Sequence, residues 1–266
     1  MPCKICSSEA TPFATAQVLS RYAVQYFRCV HCGAVQTEPP FWHEAAYSSA
    51  ITGSDLGLVS RNVMLAKTSR VIIKSFFRRD ESFVDYGGGY GLFVRLMRDH
   101  GFNFFRYDRY CENLFARGFD AELTPTARYE LVTAFEVFEH LVDPLVTIEE
   151  MLSLSDNILF STLLIPEHSP KPGEWWYYGL EHGQHVLLYT AKALAIIARR
   201  HGLHLHSKNN ELHLLTRKKI SPALFKIVAS RRLGGWLDHV GPRRSLLEAD
   251  YAKVVGAKGG SAGMLK

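Results

Sequence analysis

The stretch Ser82-Phe83-Val84-Asp85-Tyr86-Gly87-Gly88-Gly89-Tyr90-Gly91 decides the fold. Phe83, Val84 and Tyr86 predict a short buried strand, the glycines predict a tight turn, and Leu92, Phe93, Leu96 and Met97 stand at helical spacing after it. Strand, glycine turn and helix form the opening unit of a doubly wound α/β sheet, whose ligands bind beyond the carboxyl ends of the strands. Glycine serves where the backbone takes positive φ or passes close to a ligand. Asp85 places a carboxylate at that strand end.

A dinucleotide fingerprint needs G-x-G-x-x-G, and counted from Gly87 and Gly89 its third glycine falls on Leu92. The pattern is instead D-x-G-x-G-x-G: Asp85, Gly87, Gly89, Gly91. It resembles motif I of the class I S-adenosylmethionine-dependent methyltransferases. The next strand, Asn103 to Tyr107, ends at Asp108, 23 residues after Asp85, where an acid accepts the ribose hydroxyls of an adenosine cofactor; a surface loop aspartate is the alternative. Tyr110 to Arg117 predicts a short helix and Gly118 to Glu122 a short third strand, with Glu122 and Leu123 as candidates at the adenine edge.

Tyr129 to Phe135 predicts a fourth strand, and Glu136-Val137-Phe138-Glu139-His140-Leu141-Val142-Asp143-Pro144 follows it. E-V-x-E-H-L-x-D-P resembles the segment after strand four in small-molecule methyltransferases, including ubiquinone-biosynthesis and sugar enzymes. That resemblance implies that Phe135, Glu136 and Val137 border the methionine end of the cofactor. Pro144 suits the first turn of a helix, where its missing N–H costs nothing. Asn157 to Leu164 predicts a fifth strand, Thr190 to His201 a helix capped by Thr190 and stopped by Gly202, and Leu203 to Ser207 with Leu212 to Thr216 a hairpin about Asn209-Asn210. The resemblance implies a Rossmann-like seven-stranded sheet in the order 3-2-1-4-5-7-6.

The bulk numbers fit one full domain with a small addition: 266 residues, 47% hydrophobic and 21% charged. No apolar run approaches the roughly 18 residues of a membrane span. Met-Pro-Cys-Lys has no apolar signal core, which predicts a cytoplasmic protein. Net charge is +5, carried by the end of the chain, where residues 217–266 hold 11 basic and 3 acidic side chains. A helix from Ser221 with a basic end at Arg231-Arg232 reads as a solvated face, or as a contact for anionic lipid or a polyanion. Residues 256–263 read as unstructured.

Cys3-x2-Cys6 and Cys29-x2-Cys32 are two hooks that can converge on one tetrahedral structural zinc ion; disulfides or redox pairs are the alternative. Cys111 reads as a packed thiol and His31 as a bystander. Between the hooks, Val18 to Phe27 predicts a hairpin. Residues 1–40 thus form a zinc ribbon ended by Pro39-Pro40, residues 55–218 the S-adenosylmethionine-binding domain and residues 219–266 a basic helical tail. Phe41 to Ser54 reads as a linker covering the cofactor mouth.

The whole chain resembles sugar-type methyltransferases with an N-terminal zinc-binding domain. In that group a segment like H-E-H-x-x-Y-F-S follows strand five, and its Glu-His pair acts on a nucleotide-linked sugar. Gly183-Gln184-His185-Val186-Leu187-Leu188-Tyr189-Thr190 stands in its place, with His185 at the base position and Gln184 where an acid is expected. Glu181-His182 lies just upstream. The long loop 167–189, with Trp175, Trp176, Tyr177 and Tyr178, reads as a cover for substrate or as an apolar lid. An imidazole with a pKa of about 6.5 suits proton removal at neutral pH, so the candidate general bases are His185, then His182, then His140, each with a packed or surface histidine as the alternative. The expected acceptor is a small, sugar-like molecule. Two other readings stay open: an RNA base methyltransferase, favoured slightly by the basic tail, and a silent scaffold whose ribbon binds a partner protein. Neither oligomeric state nor the atom methylated is legible.

Overall fold

Apolar residues on both faces make the central strands. In β4 (Ser82–Tyr86), Phe83, Val84, Asp85 and Tyr86 are all buried, as a parallel strand covered on both sides requires. The structure, a computed structural model, describes residues 1–47, 53, 55–230 and 244–261. Two compact units divide it, one of residues 1–54 with 134–222 and one of residues 55–133 with 223–266.

The glycine unit is built on β4. This strand pairs in parallel with β5 (Asn103–Tyr107), Val84 opposite Phe105, and with β6 (Leu131–Phe135), Val84 opposite Val132. Two helices accompany them, α2 (Leu58–Phe76), which buries Leu65, Ala66, Ile72 and Ile73, and α3 (Leu92–Asp99), which follows the turn. The end of the chain adds α6 (Pro222–Val228) and α7 (Leu247–Ser261). Asp250 of α7 takes two bonds from the buried Arg98 guanidinium, at 2.8 and 2.6 Å, and one from Arg95 at 2.9 Å. Burial alone would raise the Asp250 carboxyl, but those arginines hold it below the usual range. Lys253 of the same helix adds a bond from Nζ to the Gly118 carbonyl at 3.4 Å and sits 4.8 Å over the Phe119 ring.

The other unit carries a four-stranded sheet in the order β1-β2-β3-β8: β1 (Ala10–Val18), β2 (Tyr22–Cys29), β3 (Val35–Thr37) and β8 (Leu187–Leu188). It also holds the short α1 (His43–Ala46), α4 (Pro144–Leu154) and α5 (Ala191–Arg200). Thr190 caps α5, its hydroxyl accepting from the Ala193 amide at 3.0 Å. β7 (Asn157–Ser161) and β9 (His204–Lys208) both pair antiparallel with β10 (Leu212–Thr216), and Asn209 and Asn210 make the tight turn with φ of 54° each. The full mixed sheet has six strands in the order β5-β4-β6-β7-β10-β9.

That order is the one expected of a class I methyltransferase, with three corrections. The expected third strand over 118–122 is a single bridge, Asp120 to Arg106. The chain leaves the sheet beyond it, turning at Pro125 and Thr126. The expected helix over 110–117 is a run of bends. Its amides are spent elsewhere: Tyr110 and Cys111 donate to Asp108 Oδ1, and Leu114 and Phe115 both donate to the Tyr90 carbonyl. The tail expected to be unstructured from 256 is helical to Ser261; Arg231, Arg232 and residues 262–263 lie outside the described residues.

Candidate functional site

Charged side chains hold the glycine turn from below. Asp85 is 3% exposed, and its Oδ1 accepts from Thr133 Oγ1 at 2.6 Å. Burial pushes its carboxyl up to about 7, against the pull of the Thr133 hydrogen bond. Asp108 Oδ2 accepts from the Gly89 amide at 2.9 Å, while Oδ1 takes Tyr110 and Cys111. A carboxylate offers about four lone-pair sites, so Asp108 keeps capacity for a ligand hydroxyl. The buried Arg106 donates from Nε to the Gly89 carbonyl at 2.5 Å, from Nη1 to Asp120 at 2.8 Å and from Nη2 to the Cys111 carbonyl. Gly91 has φ +84°, and a Cβ there would stand 2.7 Å from Asn113 Oδ1, so no other residue fits. Gly89 has φ +53° and open space where its Cβ would be, which leaves its outer side clear for a ligand.

Asp85, Gly87, Gly89, Gly91 and Asp108 therefore come together. Gly87 has φ +71°, and its amide bonds to the Tyr107 carbonyl at 2.8 Å. Glu122 is exposed, and its charge acts on Tyr129, whose hydroxyl burial raises first. Arg106 and Thr133 were not singled out from sequence, because a buried arginine inside the strand N-F-F-R-Y carries no local signal of its partners. Burial pushes the half-buried Cys111 thiol up to about 11, as for a packed thiol rather than a nucleophile.

The segment after β6 forms the second cluster. Phe135 ends the strand, and Glu136 takes φ +53°, a conformation costly for a residue with a side chain. Ser161 holds it there: the Glu136 amide donates to Ser161 Oγ at 2.9 Å, and that hydroxyl donates to Glu136 Oε1 at 2.6 Å. Val137 leads into a 3-10 turn, Phe138–His140. Glu139 is fully buried, with Oε1 accepting from the Tyr177 hydroxyl at 2.7 Å, and the Val186 amide donates to the Glu139 carbonyl at 2.9 Å. That backbone bond ties the turn to the loop bearing His185.

His185 Nδ1 lies 2.6 Å from the Tyr177 carbonyl, which can only accept, so Nδ1 carries the proton and Nε2 presents a lone pair. His140 Nδ1 lies 3.1 Å from the Tyr47 hydroxyl. The His140 and His182 rings each stand edge-on to His185, at 4.9 and 4.8 Å between centroids. Burial pushes His140 well below the ordinary histidine range and lowers His185 as well. One ligand atom each of Glu139, His140 and His185 falls within 4.8 Å of the other two. Glu139 is thus a carboxylate close to His185, where Gln184 offers none. Gln184 itself is structural, donating from Nε2 to the Ala46 carbonyl at 2.8 Å.

The loop 167–189 is not a free cover. Tyr177, Tyr178, Val186 and Leu188 share one apolar cluster with Val18, Val24, Tyr26, Val35 and Trp42 of the N-terminal segment. Trp42 is 1% exposed and donates from Nε1 to the Gly183 carbonyl at 2.8 Å. The loop fills the ribbon's missing core, which explains its aromatic content; Trp176 alone of its two tryptophans is well exposed. The stretch from Phe41 does not simply span a gap, since Trp42 and Tyr47 grip this loop and the 3-10 turn; residues 48–52 and 54 lie outside the described residues.

The four N-terminal cysteines converge. Cys3 and Cys32 sulfurs are 3.6 Å apart, Cys6 and Cys29 sulfurs 3.4 Å, and all four lie within 4.8 Å of one another. Disulfides need about 2.05 Å between sulfurs, and all four thiols are free. Four ligands at about 2.3 Å on a tetrahedral ion stand a little under 4 Å apart, so the sulfur set fits zinc. His31 stands outside this set. No helix among the described residues is long and apolar enough to cross a membrane.

Comparison with known proteins gives the class. A family described as a methyltransferase domain matches residues 61–208, more than half of the chain. A methyltransferase of calicheamicin biosynthesis, solved with SAH bound, is 14% identical over 60% of this chain and 54% of its own, with a TM-score of 0.45. An O-methyltransferase family protein from Burkholderia thailandensis is 14% identical over 68% of this chain and 64% of its own, with a TM-score of 0.47. Human N-acetylserotonin methyltransferase, in complex with SAM, is 13% identical over 67% and 66%, with a TM-score of 0.43. The chain thus spans between about half and two thirds of the length of these structures. No curated protein matches it. With its sheet order and its glycine turn, this is a class I methyltransferase fold. The chain belongs to the methyltransferase-domain family, whose members of this class are S-adenosylmethionine-dependent enzymes.

Proposed function

We propose that this chain transfers the methyl group of S-adenosylmethionine to an oxygen or nitrogen of a small acceptor, with sugars or nucleotide-sugars the class that the sequence favours. Asp85 and Asp108 take the donor's polar groups over Gly87, Gly89 and Gly91, with Glu122 at the adenine edge and Phe135, Glu136 and Val137 at the methionine end. The observation that carries the reading is the tautomer of His185. With Nδ1–H held by the Tyr177 carbonyl, Nε2 is left as a base. His182 and His140, whose rings touch His185, complete the acceptor side.

Methyl transfer from a sulfonium is an in-line displacement, and alignment of the partners contributes about 7–11 kcal/mol. The acceptor O–H or N–H gives its proton to the imidazole as the new bond to methyl forms and the bond to sulfur breaks. Cys3, Cys6, Cys29 and Cys32 hold a structural zinc, which keeps residues 1–40 folded as a ribbon, followed in the chain by the domain of residues 55–218 and the tail of residues 219–266. His185→Asn tests the base. Turnover of a panel of glycosides, phenols and amines is expected to fall 10²–10⁴-fold, with donor affinity kept; unchanged turnover in both His182→Asn and His185→Asn would remove the assignment.

A further inference from the structure

We propose that Glu139, His140 and His185 hold a second divalent cation, a first-row ion such as zinc, manganese or cobalt, apart from the four-cysteine site. The three ligand atoms lie within 4.8 Å of one another. Two imidazoles and one carboxylate make a donor set that leaves positions on the ion open to substrate. Bonds of about 2.0–2.2 Å put neighbouring ligands about 3 Å apart, so closing on an ion needs side-chain shifts on the order of 1 Å.

Glu139 and His185 are already oriented from behind, and His140, which also bonds the Gln184 backbone, gives up one of its bonds to take the ion. His185 Nδ1 is held by the Tyr177 carbonyl, His140 Nδ1 stands at the Tyr47 hydroxyl, and Glu139 Oε1 accepts from the Tyr177 hydroxyl. Such partners fix the tautomer and aim the ligating atom. The two chain segments that supply the ligands are fastened by the Val186–Glu139 backbone bond at 2.9 Å. The donors are nitrogen and oxygen, so the site is chemically distinct from the all-sulfur ribbon, whose ligands come from other elements.

The inference rests on this cluster being the acceptor site. An ion there binds the acceptor oxygen and lowers its pKa. The O–H proton leaves to water or to His182, the O–CH3 bond forms as the S–CH3 bond breaks, and the donor departs as neutral S-adenosylhomocysteine. With the ion in place His185 is a ligand; without it, His185 takes the proton itself.

The test is a cobalt(II) titration of the full chain with its cysteine site filled by zinc. The expected result is one further equivalent per chain with a ligand-field spectrum of nitrogen and oxygen donors. Thiolate-to-cobalt charge-transfer bands mark any exchange into the ribbon. Glu139→Gln and His185→Asn are expected to lose that equivalent, and Tyr177→Phe to bind it 10–100-fold more weakly. Ribbon metal content and S-adenosylmethionine titration serve as folding controls. Cobalt taken up only with thiolate bands, or a second equivalent kept in both ligand variants, overturns the proposal. Such a failure with donor binding intact leaves the His185 base standing, while loss of donor binding in the wild-type chain removes the methyltransferase reading instead.

Discussion

Asp85 is held where a charge is costly. Its folded pKa, raised to about 7 by burial, exceeds the ordinary 3.8, so the folded state keeps a proton that the unfolded state loses between those values. The stability this contributes is present below about 3.8 and is lost as pH rises through about 7. That stabilisation is at most about 4 kcal/mol. Asp85→Asn, neutral and of the same shape, is therefore expected to raise the unfolding temperature at pH 8 and leave it nearly unchanged at pH 4, while weakening S-adenosylmethionine binding. Thermal melts at the two pH values check the first half, and calorimetry the second. A residue selected for fold alone would not sit in this position. Its place was legible in the sequence, because the acid before a glycine turn is a local pattern. Glu139 was not legible as a neighbour of His185, because they lie 46 positions apart and only tertiary packing brings them together.

At the scale of elements, the glycine unit, the hairpin about Asn209 and the Thr190 cap follow from local chemistry, and each stands as read. The third strand and the helix after Asp108 did not, since Asp108 and Tyr90 capture the amides that a helix would use. Gly91→Ala tests how far the turn tolerates change. Positive φ costs an L-residue about 1–2 kcal/mol, and the added Cβ meets Asn113, so the variant is expected to lose at least that much stability in a urea titration. Trp42 is the matching test in the other unit. It is fully buried and pins Gly183, so Trp42→Ala is expected to cost about 3–5 kcal/mol. Hydrogen exchange should then open residues 177–189 together with the N-terminal strands; opening of the N-terminal strands alone would contradict a shared core.

For the whole molecule, the paired cysteine hooks were plain from spacing, but their bearing on the site was not. β8 lies in the loop after the fifth strand and completes the ribbon's sheet, Leu188 opposite Val35, and Thr190 at the head of α5 bonds the Cys32 carbonyl at 2.5 Å. Breaking the ribbon site alone, with Cys29→Ser and Cys32→Ser, is therefore expected to abolish turnover by loosening the segment that carries His182 and His185. Donor binding by the glycine turn should weaken far less. The measurement that tests the central claim most directly is calorimetric titration of the zinc-loaded chain with S-adenosylmethionine and S-adenosylhomocysteine. One equivalent of each is expected to bind, with affinity lost at least tenfold in Asp108→Ala. No heat with either ligand, or binding indifferent to Asp85 and Asp108, would contradict it.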